Sequence, residues 1–408
     1  MMNRRWLLLV TAGLGPFILA AGAADWPQWR GRERDGRAVG FVAPPTWPKE
    51  LKKVWKVEVG DGVATPALVG DKLYVFSRQG GNEITRCLDA ATGKEVWQDK
   101  YAAAGANGPA GRFPGPRSSP AVAEGKVVTL GVRGTLSCLD ATSGSSKLWR
   151  NTEFAGSVPR FFTSSSPLLV DGLCIVQLGG ERNGAIVAYD LNTGKQKWKW
   201  TGEGTAYASP VLQTLDGTKT VVAETNEAIV GLGLNDGKLL WQTPFAVEGR
   251  GYNACTPIVE GATVIVSGSN RGTQAVRIEK DGDKFKVQKL WTNEDNSVQF
   301  NSPVLKDNLV YGISSRDELF CIDAQNGKTA WTTSIRGNRG YGSVVDAGSV
   351  LMAMTPSARL IVFEPGAKAF KELARYEVAE GGAYAYPVVT EHGVFIKDTD
   401  SVTLWSLK

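Results

Sequence analysis

The amino-acid sequence predicts an all-β fold of eight similar four-stranded sheets, and three observations support this prediction. A phrase of the form Asp-x-x-Thr-Gly-Lys followed by Trp recurs along the chain. A second landmark, a Ser or Thr followed by Pro, recurs at steps of 43 to 54 residues. The 408 residues include 48 Gly and 13 Trp, a composition that favours short strands and tight turns. Repeats of this length that pack around a shared axis form the blades of a β-propeller.

The recurring phrase marks one turn and one strand in each repeat. Its clearest copies are residues 87–97, 138–149, 189–198 and 321–331, and weaker copies end at Trp241 and Trp291. The Asp side chain accepts hydrogen bonds from backbone N–H groups ahead of it, and Gly takes the position that requires a positive φ. The Trp is large enough to cover the joint with a neighbouring blade. These residues are therefore interpreted as scaffold.

The Ser/Thr-Pro landmark fixes the number of repeats. Its prolines are Pro66, Pro120, Pro167, Pro210, Pro257 and Pro303, with a seventh at Pro387 after Tyr386. The last interval is twice as long as the others, and residues 342–344 fill the gap without a Pro. The landmarks therefore predict eight units. Each unit holds runs for four strands in about 45 residues, as one propeller blade does.

The two chain ends supply the parts of one further blade. Residues 384–408 contain three strand-like runs, and residues 52–58 form a Trp-bearing strand without predecessors. We expect them to complete the eighth blade together and to close the ring, which leaves no open sheet edge. The domain prediction is a signal peptide at 1–24, a lead-in segment at 25–49 that packs its two Trp rings on the blades, and an eight-bladed propeller at 50–408.

The first residues predict export. Arg4 and Arg5 precede an apolar run at 6–21, and small residues follow, which is typical of a signal peptide cleaved near Ala23 or Ala24. A single membrane anchor is the alternative. No Cys follows the predicted cleavage site, so a bacterial lipid anchor is not expected, and no later segment is apolar enough to span a bilayer. The mature chain is expected in the periplasm or outside the cell.

Charge and cysteine content exclude other classes. The net charge of +5 falls to +3 without Arg4 and Arg5, which is too mild to predict nucleic-acid binding. The five cysteines have no disulfide-like spacing, and three of them stand at the same place in different repeats. We expect them to be small buried side chains, with a structural disulfide as the alternative. The mature protein is expected to be a monomer.

The Asp-x-x-Thr-Gly-Lys-x-x-Trp phrase, best seen from Asp89 to Trp97, resembles the pyrroloquinoline-quinone (PQQ) repeat. That family includes quinoprotein alcohol dehydrogenases and the outer-membrane assembly factor BamB, which are eight-bladed propellers. The resemblance covers residues 50–408 and is weakest in blade 5, where Gly282 lies in an altered turn, and in blade 7, which has no Trp. The start 25–31 also resembles that of exported bacterial PQQ-like proteins.

The resemblance also implies what a dehydrogenase of this family needs. Its enzymes use a calcium ion held by Glu, Asn and Asp, an Asp base, and a disulfide between adjacent cysteines over the cofactor. No two cysteines are adjacent here, and the single His392 cannot form a metal cluster. We therefore predict no catalytic residue, no metal site and no cofactor, with PQQ and calcium as the alternative.

The candidate binding site lies just before the Ser/Thr-Pro landmarks, because the first strand of a propeller blade runs nearest the axis. Residues entering these strands are Arg117, Phe162, Tyr207, Tyr252, Asn253, Phe300, Asn301, Tyr341 and Tyr384, and nearby loops add Arg112, Arg160, Arg250, Arg336 and Arg339. Aromatic residues with Arg are typical of binding hot spots. The alternative is a packed channel mouth with solvated charges.

The sequence therefore favours a non-catalytic exported propeller that acts as a scaffold similar to BamB. Its partner would be an envelope or secreted protein, received at the channel mouth or by adding a strand to a blade edge. The alternative is an enzyme or sensor that binds PQQ or another small anionic ligand at the mouth.

Overall fold

Eight antiparallel sheets of four strands make up the whole protein, which confirms the predicted eight-bladed propeller. The computed structural model describes residues 25–144, 147–247, 251–335 and 340–408. The predicted signal peptide at 1–24 lies outside the described residues. Within the described ranges the helical content is one short 3-10 helix, Gly108–Ala110, and no helix is long and apolar enough to cross a bilayer.

The first four blades follow each other along the chain, each running from its inner to its outer strand. Blade 1 contains β2 (Ala67–Val69), β3 (Lys72–Gln79), β4 (Asn82–Asp89) and β5 (Glu95–Ala102). Blade 2 contains β6 (Ala121–Ala123), β7 (Lys126–Leu130), β8 (Leu136–Asp140) and β9 (Lys147–Asn151). Blade 3 contains β10 (Leu168–Val170), β11 (Leu173–Leu178), β12 (Ala185–Asp190) and β13 (Gln196–Trp200). Blade 4 contains β14 (Val211–Leu215), β15 (Thr218–Glu224), β16 (Ala228–Gly233) and β17 (Leu239–Pro244).

The next three blades repeat this order, and the eighth joins the two chain ends. Blade 5 contains β18 (Ile258–Glu260), β19 (Thr263–Gly268), β20 (Gly272–Asp281) and β21 (Lys284–Asn293). Blade 6 contains β22 (Val304–Lys306), β23 (Leu309–Ile313), β24 (Glu318–Asp323) and β25 (Thr329–Ser334). Blade 7 contains β26 (Ser343–Ala347), β27 (Val350–Met354), β28 (Arg359–Phe363) and β29 (Glu372–Glu377). Blade 8 contains β30 (Val388–Thr390), β31 (Gly393–Lys397), β32 (Ser401–Ser406) and, outermost, β1 (Lys52–Glu58).

The ring closes as the sequence predicts. Strand β1 pairs with β32 along its length, for example at Lys56 opposite Thr403. The buried ammonium group of Lys397 adds a second link, since it donates to the carbonyl oxygens of Gly60 (3.3 Å), Gly62 (2.9 Å) and Asp398 (2.7 Å). Both chain ends are thus tied into one sheet, so the ring has no unpaired edge facing a neighbour.

The recurring Asp-Thr-Gly turn and its Trp join neighbouring blades. In blade 3, Asp190 Oδ1 accepts from the backbone N–H of Thr193 at 2.9 Å, and Gly194 has φ +68. The indole of Trp149, in blade 2, donates to the carbonyl oxygen of Leu191 in this turn at 2.9 Å. The same link recurs from Trp55 to Ala90, Trp97 to Ala141, Trp198 to Leu234, Trp291 to Ala324 and Trp331 to Gly366.

The Ser/Thr-Pro landmark forms a chain of hydrogen bonds near the axis. Backbone N–H groups donate to the hydroxyl of the next landmark from Ser119 to Ser166, Ser166 to Ser209, Ser209 to Thr256 and Thr256 to Ser302. Blade 7 is bypassed: the N–H of Ser302 donates to the hydroxyl of Tyr386 at 2.9 Å, and the N–H of Tyr386 donates to Thr65. The long reach of the Tyr386 side chain thus replaces the landmark that blade 7 lacks.

Every outer strand carries a β-bulge at the same place. In blade 1, Trp97 lies opposite Cys87 and Glu95 opposite Leu88, so Val96 is the extra residue. The matching bulged residues are Leu148, Lys197, Leu240, Leu290, Ala330, Leu373 and Val54. Bulges twist a strand and interrupt its ladder, which makes an edge a poor template for further pairing. The blade edges are thus less suited to strand addition than the channel mouth is to binding.

The lead-in segment crosses the axis of the ring. Trp26 exchanges backbone hydrogen bonds with Leu68 of blade 1, at 2.9 and 2.8 Å. The guanidinium of Arg34 donates to the carbonyl oxygen of Pro167 at 2.6 Å, and that of Arg30 donates to the carbonyl oxygen of Pro303 at 2.7 Å. These contacts lie on blades 1, 3 and 6, so the segment spans the channel and blocks it.

Candidate functional site: the central cavity

A cavity of about 740 Å³ occupies the central channel on one side of the lead-in segment. Its floor includes Trp29 and Tyr386, whose rings meet edge to face with centroids 4.7 Å apart. The residues that line it are Trp29, Val63, Pro109, Ala110, Arg112, Phe113, Arg117, Phe161, Ser164, Tyr207, Ser209, Tyr252, Ala254, Thr256, Gln299, Phe300, Tyr341, Tyr384 and Tyr386. Because the lead-in crosses the channel, the cavity is closed at its base.

One position per blade points into this cavity, and it lies two residues before the landmark. In chain order the eight residues are Val63, Arg117, Ser164, Tyr207, Ala254, Phe300, Tyr341 and Tyr384. The next residue points away from the cavity, since successive side chains of an extended chain face opposite sides. The eightfold repeat of the landmark thus fixes the ring of lining residues.

Seven aromatic side chains form a continuous belt around the cavity wall, which we call the aromatic belt. Its members are Phe113, Phe161, Tyr207, Tyr252, Phe300, Tyr341 and Tyr384. Phe300 and Tyr341 stack almost in parallel, with centroids 4.2 Å apart, and Tyr384 meets Phe113 edge to face at 4.6 Å. Tyr252 links the two sides, at 6.0 Å from Phe300 and 5.0 Å from Phe161. Such edge and stacked contacts hold each ring in place.

The tyrosine hydroxyls of the aromatic belt remain protonated. Burial raises the pKa of Tyr207, whose hydroxyl accepts from the N–H of Phe161 at 3.1 Å and lies 3.5 Å from the Glu181 carboxylate. Burial and the neighbouring Tyr384 likewise raise the pKa of Tyr341. The belt is therefore uncharged at neutral pH and offers O–H groups as donors.

Arg117 is the predicted cation that the structure places inside the cavity. Its Nη2 donates to the carbonyl oxygens of Phe113 (2.9 Å) and Ala110 (3.1 Å). Its Nη1 is buried and has no hydrogen-bond partner among the described residues. Burial lowers the pKa of Arg117, but a guanidinium starts so high that it stays charged at neutral pH. Arg112 adds a second cation, with its guanidinium carbon 5.2 Å from the centroid of the Phe113 ring.

The other predicted cations lie at the rim or outside the described chain. Arg160 is exposed and stacks on the Phe161 ring at 5.4 Å, at the edge of the belt. Arg250, Arg336 and Arg339 lie outside the described residues.

Asn253 and Asn301 are predicted at the mouth, and the structure places both beneath it. The Asn301 amide donates to the carbonyl oxygens of Ile313 (2.7 Å) and Gly340 (3.1 Å). The Asn253 amide donates to Thr225 (2.7 Å) and Phe245 (3.0 Å). Both side chains are buried and hold loop backbone in position. Asn301 directly precedes its landmark, so it takes the position that faces away from the cavity.

The sequence analysis names Phe162, but Phe161 is the residue that lines the cavity. Phe162 has φ +66, a left-handed conformation that turns its side chain under the rim, where Arg133 stacks on it at 5.1 Å. Nothing in the sequence marks this reversal. Phe113, Trp29 and Tyr386 are also absent from the prediction, although the hydroxyl-bearing Tyr386 stands before Pro387 as the landmark rule requires.

Beneath the floor two further guanidinium groups are fully buried in the lead-in. Arg30 approaches the Tyr386 hydroxyl at 3.5 Å, and Arg34 bonds Gln28 at 3.0 Å besides the backbone carbonyl oxygens. Burial and the charge of Arg30 lower the pKa of Arg34 to about 9, so it is charged at neutral pH. Neither forms an ion pair with a described carboxylate. The base of the cavity therefore carries positive charge.

The lining residues do not fit a calcium–quinone centre. Calcium prefers about six to eight oxygen ligands, mostly carboxylates and carbonyls, and the lining includes no Asp or Glu. No cluster of three or more His, Cys, Asp or Glu side chains that could hold a metal occurs within the described ranges. The five cysteines are buried and free, and burial raises the pKa of Cys87 and of Cys138 to about 12.

The chain is similar to proteins of two kinds. A family model described as outer membrane protein assembly factor BamB matches residues 81–333. BamB of Burkholderia pseudomallei is 27% identical over 297 residues, which is 69% of this chain and 69% of that protein. Quinohemoprotein alcohol dehydrogenase of Comamonas testosteroni is 28% identical over 158 residues, 37% of this chain and 22% of that protein.

Solved structures share the fold at low sequence identity. BamB from Moraxella catarrhalis has a TM-score of 0.64 at 18% identity, covering 87% of this chain and 97% of that one. The dehydrogenase from Comamonas testosteroni has a TM-score of 0.70 at 16% identity, covering 95% and 81%. The structures therefore support the propeller architecture, and the sequence match carries the family. The chain belongs to the PQQ-repeat propeller family described by the outer membrane protein assembly factor BamB.

Proposed function

We propose that this protein is an exported, non-catalytic propeller that binds another envelope or secreted protein at the mouth of its central cavity. The relatives named as outer membrane assembly factors support a place in the cell envelope. The aromatic belt supports the site, because ordered aromatic rings beside Arg are the composition of protein-binding hot spots. The bulged outer edges favour the mouth over strand addition at the blades.

The chemistry of the cavity wall supports a non-catalytic role. General acid–base catalysis requires a titratable side chain within hydrogen-bond reach of the substrate. The lining offers tyrosine and arginine, whose ordinary pKa values lie far above neutrality, and it offers neither carboxylate nor histidine. The observation that carries the proposal is this acid-free wall, combined with rings that already pack on each other.

A quinoprotein-like enzyme is the second candidate function. The match to a quinohemoprotein alcohol dehydrogenase and the charged Arg117 in the cavity favour it. Addition of PQQ and calcium to the purified protein tests it directly. A bound-quinone absorbance together with reduction of a dye by primary alcohols would contradict the non-catalytic proposal.

The binding proposal is tested by capture from envelope extract with two matched variants. Phe300→Ala removes a ring from the aromatic belt, whereas Phe285→Ala removes one from outer strand β21, away from the cavity. We expect Phe300→Ala to reduce partner recovery by about tenfold, the effect of losing a hot-spot ring worth about 1.4 kcal/mol. Phe285→Ala should recover the partner as the unaltered protein does. Equal recovery with both variants would remove the mouth from the proposal.

A further inference from the structure

The central cavity holds more positive charge than its own residues balance. Arg112 and Arg117 lie on the wall, and Arg30 and Arg34 lie beneath the floor. None of the four forms an ion pair with a carboxylate in the described chain. The closest described carboxylate, Glu181, is exposed at the rim beside Tyr207. Like charges in a concave, poorly hydrated site reinforce each other and attract a counter-ion.

The Arg117 guanidinium is the group with the clearest unmet bonding capacity. Its Nη2 is satisfied by two backbone carbonyl oxygens, which fixes the plane of the group. Its Nη1 is shielded from solvent and has no described acceptor. A buried donor without an acceptor costs free energy, about 1–3 kcal/mol and more for a charged group. A ligand that supplies an anionic oxygen would remove this cost.

The wall above Arg117 suits a flat ring. The parallel pair Phe300 and Tyr341 and the crossed pair Tyr341 and Tyr384 present ring faces and edges to the cavity. The neutral tyrosine hydroxyls and the Gln299 amide can donate to further acceptors. A volume of about 740 Å³ falls in the range of small-molecule sites.

We propose that the cavity is a binding site for a small planar organic anion of the aromatic carboxylate class. The carboxylate pairs with Arg117 and the ring lies against the aromatic belt, with no metal ion between ligand and protein. This inference rests on the proposed function only in using the same cavity. The absence of carboxylates from the lining residues separates it from a calcium-dependent quinone site.

The test uses 1-naphthoate as the probe and neutral 1-naphthamide as its matched control. Titration of the full chain is followed by calorimetry and by the fluorescence of Trp29 at the cavity floor. We expect naphthoate to bind at least about tenfold more tightly than naphthamide. The affinity should be the same with calcium and with a chelator, and it should fall as the salt concentration rises.

Two variants locate the anion contact. Arg117→Gln should weaken naphthoate about tenfold and leave naphthamide unchanged. Arg375→Gln, on the outer face of blade 7 where Arg375 pairs with Glu372, should change neither. Because Arg117 also holds a loop, Arg112→Gln provides an independent test at an exposed side chain and should weaken naphthoate by a smaller factor.

Two results would overturn the inference. Equal affinity for naphthoate and naphthamide would show that the cavity does not select anions, and a requirement for calcium would show a metal-mediated site. Partner capture from extract is measured without naphthoate, so its failure reports on the proposed protein-binding function alone.

Discussion

At the joint between two blades, a single glycine meets the indole of the preceding blade. A Cβ on Gly194 would lie 2.7 Å from ring atoms of Trp149, and the same close approach occurs at Gly93, Gly237 and Gly327. The residue must also adopt φ +68. Two demands thus fall on one position, a left-handed backbone and room for a ring, and glycine meets both.

Gly194→Ala and Gly172→Ala in blade 3 separate these two demands. Gly172 has φ +71 and open space around its Cβ position, so alanine there should lower the free energy of unfolding by about 1–2 kcal/mol. Alanine at Gly194 meets the same backbone cost and also pushes on Trp149, which adds about 1–3 kcal/mol. Urea unfolding followed by tryptophan fluorescence measures both. Equal losses would show that ring packing at the joint adds nothing.

At the level of the blade, the joint between blades 4 and 5 departs from the others. The indole N–H of Trp241 is buried and has no partner, whereas that of Trp198 donates to Leu234 at 2.8 Å. Blade 5 lacks the Asp-Thr-Gly turn: its strands β20 and β21 run on for ten residues each and turn at Gly282. The longer hairpin thus removes the carbonyl oxygen that would accept from Trp241.

Trp198→Phe should therefore destabilise the protein more than Trp241→Phe. Both changes remove similar buried ring area, but the first also leaves the Leu234 carbonyl oxygen without its donor, at a cost of about 1–3 kcal/mol. The second removes a donor that was already unpaired. Thermal unfolding followed by circular dichroism compares the two melting temperatures. A lower melting temperature for Trp241→Phe would contradict the role assigned to the hydrogen bond.

The blades could be predicted from sequence because each repeat carries its own turn and joint chemistry. Asp190, Gly194 and Trp149 act within a few residues or on the adjacent blade, so their spacing determines the strands. The cavity was only partly predictable. Residues two before each landmark, such as Tyr207 and Phe300, follow from the repeat, whereas the left-handed turn at Phe162 and the path of the lead-in occur once and leave no periodic signal.

Across the whole molecule, one stretch of chain performs two separate tasks. Strand β1 completes blade 8 and closes the ring through its pairing with β32. The lead-in before it crosses the channel and supplies Trp29 to the cavity floor together with Arg30 and Arg34 beneath it. Ring closure and the cavity floor are thus encoded in adjacent segments, which truncation can separate.

A chain that begins at residue 50 keeps β1 and loses the lead-in, whereas one that begins at residue 59 loses both. We expect the second to melt at a lower temperature and to self-associate, because blade 8 then exposes β32 as an open edge. The first should stay closed but lose naphthoate binding with its cavity floor. Differential scanning calorimetry and light scattering compare the two. Equal melting temperatures and equal particle masses would show that β1 does not hold the ring together.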